Sequence, residues 1–555
     1  MTHNTEPTLC VDSLPRKAAA VAYGNKLVIA RFPLDETFKP SPFNSFIFEE
    51  TQTIRAIAFL QIPDGPLCIV TAGDQKFIHV YNLSSSKKYN PDATFDSDED
   101  EAEYKKKKAS AGNKVWVPAF RFGPHQKRIV TLTTGNDGTI VFGDKFGEVY
   151  RLMLCWSPEH TIEIVGDKKD PLKPLLQHFS TLTTLFLSSP VPRLENISTL
   201  EDLGEQEPRR LFSADKDKHI RVSRYPETYL IEQYLWNKGT PAPMTCVTEI
   251  PFLYEEDAHV RTNTSNNKSG NKNNKNFNSN LSFYATGDAK GVVSFWAAYN
   301  DVPHRDPEEP FNLITTFHPH QRLAAKFNYL LQHDETARKV EEEKDKVEKA
   351  KEYGGVVSVV YIHLNQADHH ELHPRDFVRG VLVAYELSDE IFFIPLMELG
   401  EFGLYPSVVD QKRLKLSAPP VALVKSNNNT AMTLLRDGSI RFVGLLQEVR
   451  TDKRDEDKKI CEHLSNIDAD VSEWKVRMPY FEDKIREITA DPKATAGKKK
   501  GEATPTALAT LDLFAHWKHE AVDPRTRERE DDESDEEKEE KEESGKSNKK
   551  KAKKA

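Results

Sequence analysis

One pattern written seven times constrains the fold of this chain more than any other feature. A small or β-prone residue, a polar turn and alternating apolar residues recur as AYGNKLVIARF (Ala22–Phe32), TAGDQKFIHVYNL (Thr71–Leu83) and FGDKFGEVYRL (Phe142–Leu152). They recur again as SADKDKHIRVSRY (Ser213–Tyr225) and ATGDAKGVVSFWA (Ala285–Ala297), with weaker copies AYELSDEIFFIPL (Ala384–Leu396) and TLLRDGSIRFVGL (Thr433–Leu445). Each copy reads as two strands of period 2 around a tight turn, where Asp, Gly, Asn or Lys supplies positive φ or a side-chain cap. Apolar runs such as IRAIAFLQI (Ile54–Ile62) and TLTTLFLS (Thr181–Ser188) lie upstream of some copies and supply inner strands. One small sheet cannot bury both of its faces. Seven arranged radially bury one another's faces and leave only short edges. The expected fold is an all-β, seven-bladed β-propeller.

The copies are spaced more widely than the ~40–45 residues usual for a blade, and the excess sits in three expected insertions. Residues 84–113 hold an acidic-then-basic loop, and residues 262–280 an Asn/Lys/Ser tract almost without apolar residues; both compositions predict disorder. Residues 303–352 carry a long insertion whose second half, with Leu323, Phe327, Leu330 and Leu331 at helical spacing, predicts a helix that turns mostly charged. The propeller is thus expected over residues 1–445. Residues 446–520 read as a docking segment with short helices, favoured to pack on the propeller, with a partner as the other host. Residues 521–555 read as a disordered, acidic-then-basic tail.

Charge placement limits the ligands. The formal net charge is −10, of which Glu520–Glu543 carries −9, Asp92–Lys108 −3 and Lys546–Ala555 +6, leaving −4 for the rest. A body so near neutrality cannot hold nucleic acid by bulk charge, because counterion release needs clustered Lys and Arg. Contact with RNA would run through local basic patches or through a partner. The five cysteines are scattered without a C-x-x-C pair, as expected of reduced thiols. No signal peptide or membrane span is expected, since the first residues lack an apolar run and no stretch approaches 18 apolar residues. The terminal lysines fit either a nuclear address or a solvated tail.

Motifs that carry chemistry are missing. There is no phosphate-binding or dinucleotide-binding glycine loop and no G-x-S-x-G elbow. His363, His369, His370 and His373, with Asp368 and Glu371, could form a metal loop, but the favoured reading is a turn between two strands of the sixth blade. Asp74, Asp144, Asp215, Asp288 and Asp437 recur at one turn position, as a structural role predicts and a catalytic acid does not. No catalytic residue, metal or cofactor is expected.

Two further features narrow the reading. GDKFGEVYRL (Gly143–Leu152), LLQHFSTLTTLFLS (Leu175–Ser188) and FSADKDKHIRVSRYPETYLIEQYL (Phe212–Leu235) follow one another in this order, and the spacing A-D-x-D-x-x-I-R-V-S is specific. This stretch of roughly 90 residues resembles the third and fourth blades of the non-catalytic WD-repeat subunit of the eukaryotic tRNA (guanine-N7) methyltransferase. The repeats are degenerate for the WD type: no Trp-Asp dipeptide occurs, and Trp236-Asn237-Lys238-Gly239-Thr240 stands where a Gly-His is usual. The resemblance implies a heterodimer in which this chain is not itself an enzyme. It would hold and stabilise an S-adenosylmethionine-dependent catalytic subunit that forms N7-methylguanosine in the tRNA variable loop. It also implies a nuclear location, with the cytoplasm left open.

The resemblance further implies that Arg221 pairs with an acid of the partner, within a basic patch of Lys216, Lys218, His219 and Arg224. Strand alternation alone puts Ile220 and Val222 on one face and His219, Arg221 and Ser223 on the other. The other reading of Arg221 is an exposed side chain bridging to the next blade. On the first reading Arg221→Glu weakens partner binding without altering melting. A generic WD-repeat scaffold in ribosome assembly or another nuclear complex is the alternative function.

Overall fold

The computed structural model describes residues between Thr8 and Leu513, apart from 16–17, 32–44, 84–117, 166–171, 190–208, 236–241, 252–280, 300–310, 320–352, 364–378, 399–403, 409–410, 448–468, 475–477, 491–505 and 512. The described residues all fall within one compact unit.

The described strands form seven antiparallel sheets, each built from consecutive strands. Blade 1 comprises β1 (Leu9–Leu14), β2 (Ala18–Tyr23), β3 (Lys26–Arg31) and β4 (Ser45–Glu49). Blade 2 comprises β5 (Ile54–Gln61), β6 (Leu67–Gly73), β7 (Ile78–Asn82) and β8 (Phe120–Phe122). Blade 3 has β9 (Ile129–Thr134), β10 (Thr139–Asp144), β11 (Glu148–Trp156) and β12 (Ile162–Ile164), while β13 (Leu176–Gln177) pairs with the start of β11. Blade 4 has β14 (Leu182–Leu187), β15 (Arg209–Asp215), β16 (Ile220–Tyr225) and β17 (Ile231–Leu235). Blade 5 has β18 (Met244–Ile250), β19 (Leu281–Asp288), β20 (Val293–Tyr299) and β21 (Phe311–Phe317). Blade 6 has β22 (Val356–His363), β23 (Arg379–Tyr385) and β24 (Glu390–Glu398), flanked by β25 (Leu404–Pro406) and β26 (Lys412–Lys415). Blade 7 has β27 (Pro420–Lys425), β28 (Thr430–Leu435), β29 (Ile440–Gln447) and β30 (Ala469–Trp474).

The seven repeat copies are the middle hairpins of the seven blades. The first strands β1, β5, β9, β14, β18, β22 and β27 each touch the next, and β27 touches β1, so the ring is closed. Strand alternation then explains the core. Along β6, Ile69 faces blade 1 while Cys68, Val70 and Ala72 face blade 3. Every pair of adjacent blades encloses one apolar cluster, seven seams in all. Burial against neighbours on both sides is what a single blade lacks.

The seam between blades 7 and 1 has an extra layer. Helix α1 (Pro479–Ile488) packs against β3 and β4 and buries Phe481, Ile485 and Ile488 in the same cluster as Ala19, Val28, Met432 and Phe442. The 3-10 turn Ala507–Thr510 adds Leu508, fully buried there. Proline at the first helical position needs no amide partner and starts α1. The Glu482 carboxylate accepts the Ile440 amide at 3.0 Å and lies 3.9 Å from Arg441 and 3.6 Å from Arg486. Arg436 donates to the carbonyls of Leu508, Ala509 and Leu511, and the Leu513 amide donates to Glu386 of blade 6. Thus α1 and the 3-10 turn, both within the segment read as a docking region, pack on the propeller.

Two expected boundaries are corrected. The propeller does not end at residue 445, because β30 pairs with β29 as the outer strand of blade 7. Residues 303–352 are not wholly an insertion, because β21 is the outer strand of blade 5. Backbone pairing sets both edges, and side-chain alternation signals neither. The tracts at 84–113 and 262–280, the helix expected after residue 320 and the tail at 521–555 lie outside the described residues.

Candidate functional site

The recurring turn aspartates are structural. Asp144 accepts the amides of Phe146 and Glu148, Asp215 that of His219, Asp288 those of Lys290 and Val292, and Asp437 that of Ser439. Asp74 instead holds Arg55 through two contacts. Histidines from the loops that enter two blades reinforce the pattern. His125 lies 3.3 Å from Asp144, and His178 bridges Asp215 at 3.2 Å and the Ser213 hydroxyl at 2.8 Å. Between blades 1 and 2, Glu50 is buried and accepts from Thr71 and Tyr81, with His79 3.1 Å away. Burial alone would raise the Glu50 carboxyl, but the bonds from His79, Tyr81 and Thr71 hold it below the ordinary carboxylate range.

No group of three or more His, Cys, Asp or Glu among the described residues could hold a metal. His363 ends β22, buried, with its amide on the Asn428 carbonyl; the remaining members of the histidine run lie outside the described residues. No helix among the described residues is long and apolar enough to cross a membrane.

The five basic residues grouped by the sequence occupy three different settings on blade 4. Lys216, Lys218 and His219 form the turn between β15 and β16. The Lys216 amide donates to Thr181 O, Lys218 adopts a φ of 74°, and His219 lies 3.5 Å from Asp215. Arg224 is held at 3.2 Å by Glu232, which also binds buried Arg210 at 2.7 Å. Arg221 sits mid-strand, half-buried, on the face turned to blade 3 with Ser213 and Tyr225. Its Nε donates to the Ser223 hydroxyl at 2.9 Å and its Nη2 to the Thr228 carbonyl at 2.7 Å. Thr228 in turn donates to Leu175 O beside β13, which ties the β16–β17 turn to blade 3.

The expected alternation is kept on β16, with Ile220 and Val222 in the seam with blade 5 and Arg221 and Ser223 on the face turned to blade 3. The bulge against Ser223 is on β17, where Glu232 is the extra residue. Ser223 is fully buried beneath the guanidinium. Partial burial works against the Arg221 charge, and Tyr234, its register partner on β17, opposes that effect.

The composition-based reading missed an apolar surface. Among the described residues, six of the eight exposed large hydrophobics lie in the sector of blades 3 and 4: Val165 after β12, Phe179 in the loop entering blade 4, Tyr229 and Leu230 in the β16–β17 turn, and Ile231 and Tyr234 on β17. Phe179 and Tyr229 are each 75% exposed. Apolar residues grouped at this density mark interaction surfaces, whereas scattered ones need no explanation. The signal was present in PETYLIEQYL, where Tyr229, Leu230 and Ile231 run consecutively in place of an apolar–polar alternation.

Residues 166–237 match the family model described as the tRNA methyltransferase TRM82 WD40 domain. The chain is 29% identical over 131 residues to the tRNA (guanine-N(7)-)-methyltransferase non-catalytic subunit TRM82 of Eremothecium gossypii, covering 23% of this chain and 24% of that one. It is 32% identical over 111 residues to the subunit of the same name from Lodderomyces elongisporus, covering 20% and 23%. The chain thus spans about a quarter of the length of the curated relatives it matches. Among solved structures, Saccharomyces cerevisiae Sqt1 aligns over 80% of this chain and 84% of that one at 12% identity and a TM-score of 0.40.

Proposed function

We propose that this chain is the non-catalytic subunit of a tRNA guanine-N7 methyltransferase, whose blades 3 and 4 hold and stabilise the catalytic subunit. One coincidence carries the reading. The segment most similar to the TRM82 family, residues 166–237, includes or adjoins every exposed apolar residue of the sector described above, together with Arg221. Aromatic anchors around an arginine are the composition of energetic hot spots at protein interfaces. A guanidinium already fixed by Ser223 and Thr228 presents a planar fork to a carboxylate with little further loss of freedom. Chemistry belongs to the partner, in agreement with the non-catalytic naming of the relatives. The Lys-rich terminus supports a nuclear location for the complex.

The test is co-purification of the intact chain followed by an assay for N7-methylguanosine in tRNA, with and without this chain. A tightly held methyltransferase whose activity depends on it is the expected result. Recovery of a ribosome-assembly particle without a methyltransferase overturns the proposal in favour of a generic scaffold. Methylation by the purified chain alone overturns it as well.

A further inference from the structure

We infer that the turn-bearing end of blades 2, 3 and 4 is a binding face for the phosphate backbone of a folded RNA, formed by Arg121, Lys127, Arg128, Lys145, Lys216 and Lys218. The choice of RNA over other polyanions rests on the proposed function; the cationic face itself does not.

Each middle-hairpin turn is hydrogen-bonded to the loop that leads into a neighbouring inner strand, so these turns share one end of the ring. The His125 amide donates to Lys76 O, the Lys145 amide to Arg128 O, and the Lys216 amide to Thr181 O. The Thr181 hydroxyl donates to Lys145 O, which joins the turns of blades 3 and 4. Cations from three consecutive blades are thereby placed in one arc.

Two phenylalanines order them. The Arg121 guanidinium lies 3.5 Å from the Phe77 ring centroid, and the ammonium groups of Lys127 and Lys145 lie 4.3 Å and 5.0 Å from that of Phe146. Cation–π contact fixes charge in position. Because both rings are already capped by cations, they are not open platforms for stacking bases. The face is suited to backbone charge and not to base identity.

Nearby acids are largely committed to the fold. Asp144 and Asp215 are fully buried on turn amides and histidines, Asp74 holds Arg55, and Glu148 accepts the Tyr150 hydroxyl. Asp217 is the exposed acid of the β15–β16 turn. Lys216 is half-buried and is disfavoured as a cation, first by loss of water and then by Arg128. Placing like charges together in a partly dry setting costs stability, and an anion supplied from outside removes that cost. A row of cations along a rim fits a ligand with evenly repeated negative charge, and each phosphate neutralised releases counterions.

The test uses the full chain, a fluorescent tRNA transcript and anisotropy titrations over a range of salt. The triple variant K127A/K145A/K216A should bind at least tenfold more weakly, with a salt slope smaller by about two. The Lys→Arg triple should retain both, and Lys216→Ala alone should melt no lower than wild type. Capture of the methyltransferase is read on the double variant K127A/K145A, which spares the partner-binding patch of blade 4, and should be unchanged, so failure here is distinguishable from failure of the proposed function. Equal affinity and slope in wild type and alanine triple overturn the inference, as does wild type without measurable affinity. If an acidic peptide of residues 520–543 binds wild type as tightly and displaces the tRNA, the occupant is an acidic polypeptide and the inference fails.

Discussion

Lys218 occupies a left-handed backbone position that glycine fills at comparable turns, Gly147, Gly291 and Gly438. A side chain there costs energy that glycine avoids. Lys218→Gly is expected to stabilise the propeller by roughly 0.5–1 kcal/mol in denaturant unfolding, and a loss of stability would show that its side chain supports the turn. Asp12 behaves differently. It accepts the Phe59 amide at 2.7 Å, yet burial pushes its carboxyl up to about 6. A group raised in the folded state contributes stability below its ordinary range and loses that contribution as pH rises through about 6. Asp12→Asn should therefore flatten the decline in unfolding midpoint between about pH 4 and 6; parallel profiles would refute the assignment. Arg221 corrects an expectation from the sequence. Its two hydrogen bonds within blade 4 mean that truncation should cost about 1–2 kcal/mol, so melting will not be unchanged. Tyr234→Ala is the cleaner probe of the interface: melting within about 0.5 kcal/mol of wild type and weaker capture of the methyltransferase, measured by titration. Intact affinity would remove β17 from the surface.

At the scale of elements, the middle hairpins were legible because they bury both faces, which forces apolar residues into period 2 around a turn. The outer strands were not. FNLITTF (Phe311–Phe317) fell inside a supposed insertion and ADVSEW (Ala469–Trp474) beyond the supposed end, because backbone bonds to β20 and β29 set their pairing. Helix α1 belongs to the segment favoured to pack on the propeller, but the sequence does not say where on the ring. Its place depends on a seam between the first and last blades, which are far apart in sequence. That seam makes α1 a clasp on the closed ring. Phe481→Ala, at a side chain 1% exposed, should destabilise the propeller by about 3–5 kcal/mol. A loss below about 1 kcal/mol in equilibrium unfolding would show that α1 is peripheral.

At the scale of the whole molecule, the ring divides its tasks by position. Seven apolar seams hold it together, blades 3 and 4 expose large apolar side chains, and the turn-bearing end of blades 2 to 4 gathers positive charge that the chain's average composition hides. Variants of the first surface should abolish N7-methylguanosine formation through lost assembly, whereas variants of the second should raise the tRNA concentration needed with the complex intact. Identical defects in both would mean that the two surfaces are one. The repeats by themselves determined the blade count, the hairpins and the structural role of the turn aspartates, because each is a local pattern that every copy states independently. Only tertiary structure decided that Lys216 and Arg221, five residues apart, lie in different settings, and that Arg121 and Lys145 lie at the same end of the ring. Strand direction separates neighbours in the chain, and ring closure brings distant turns together, and neither is encoded in any single stretch.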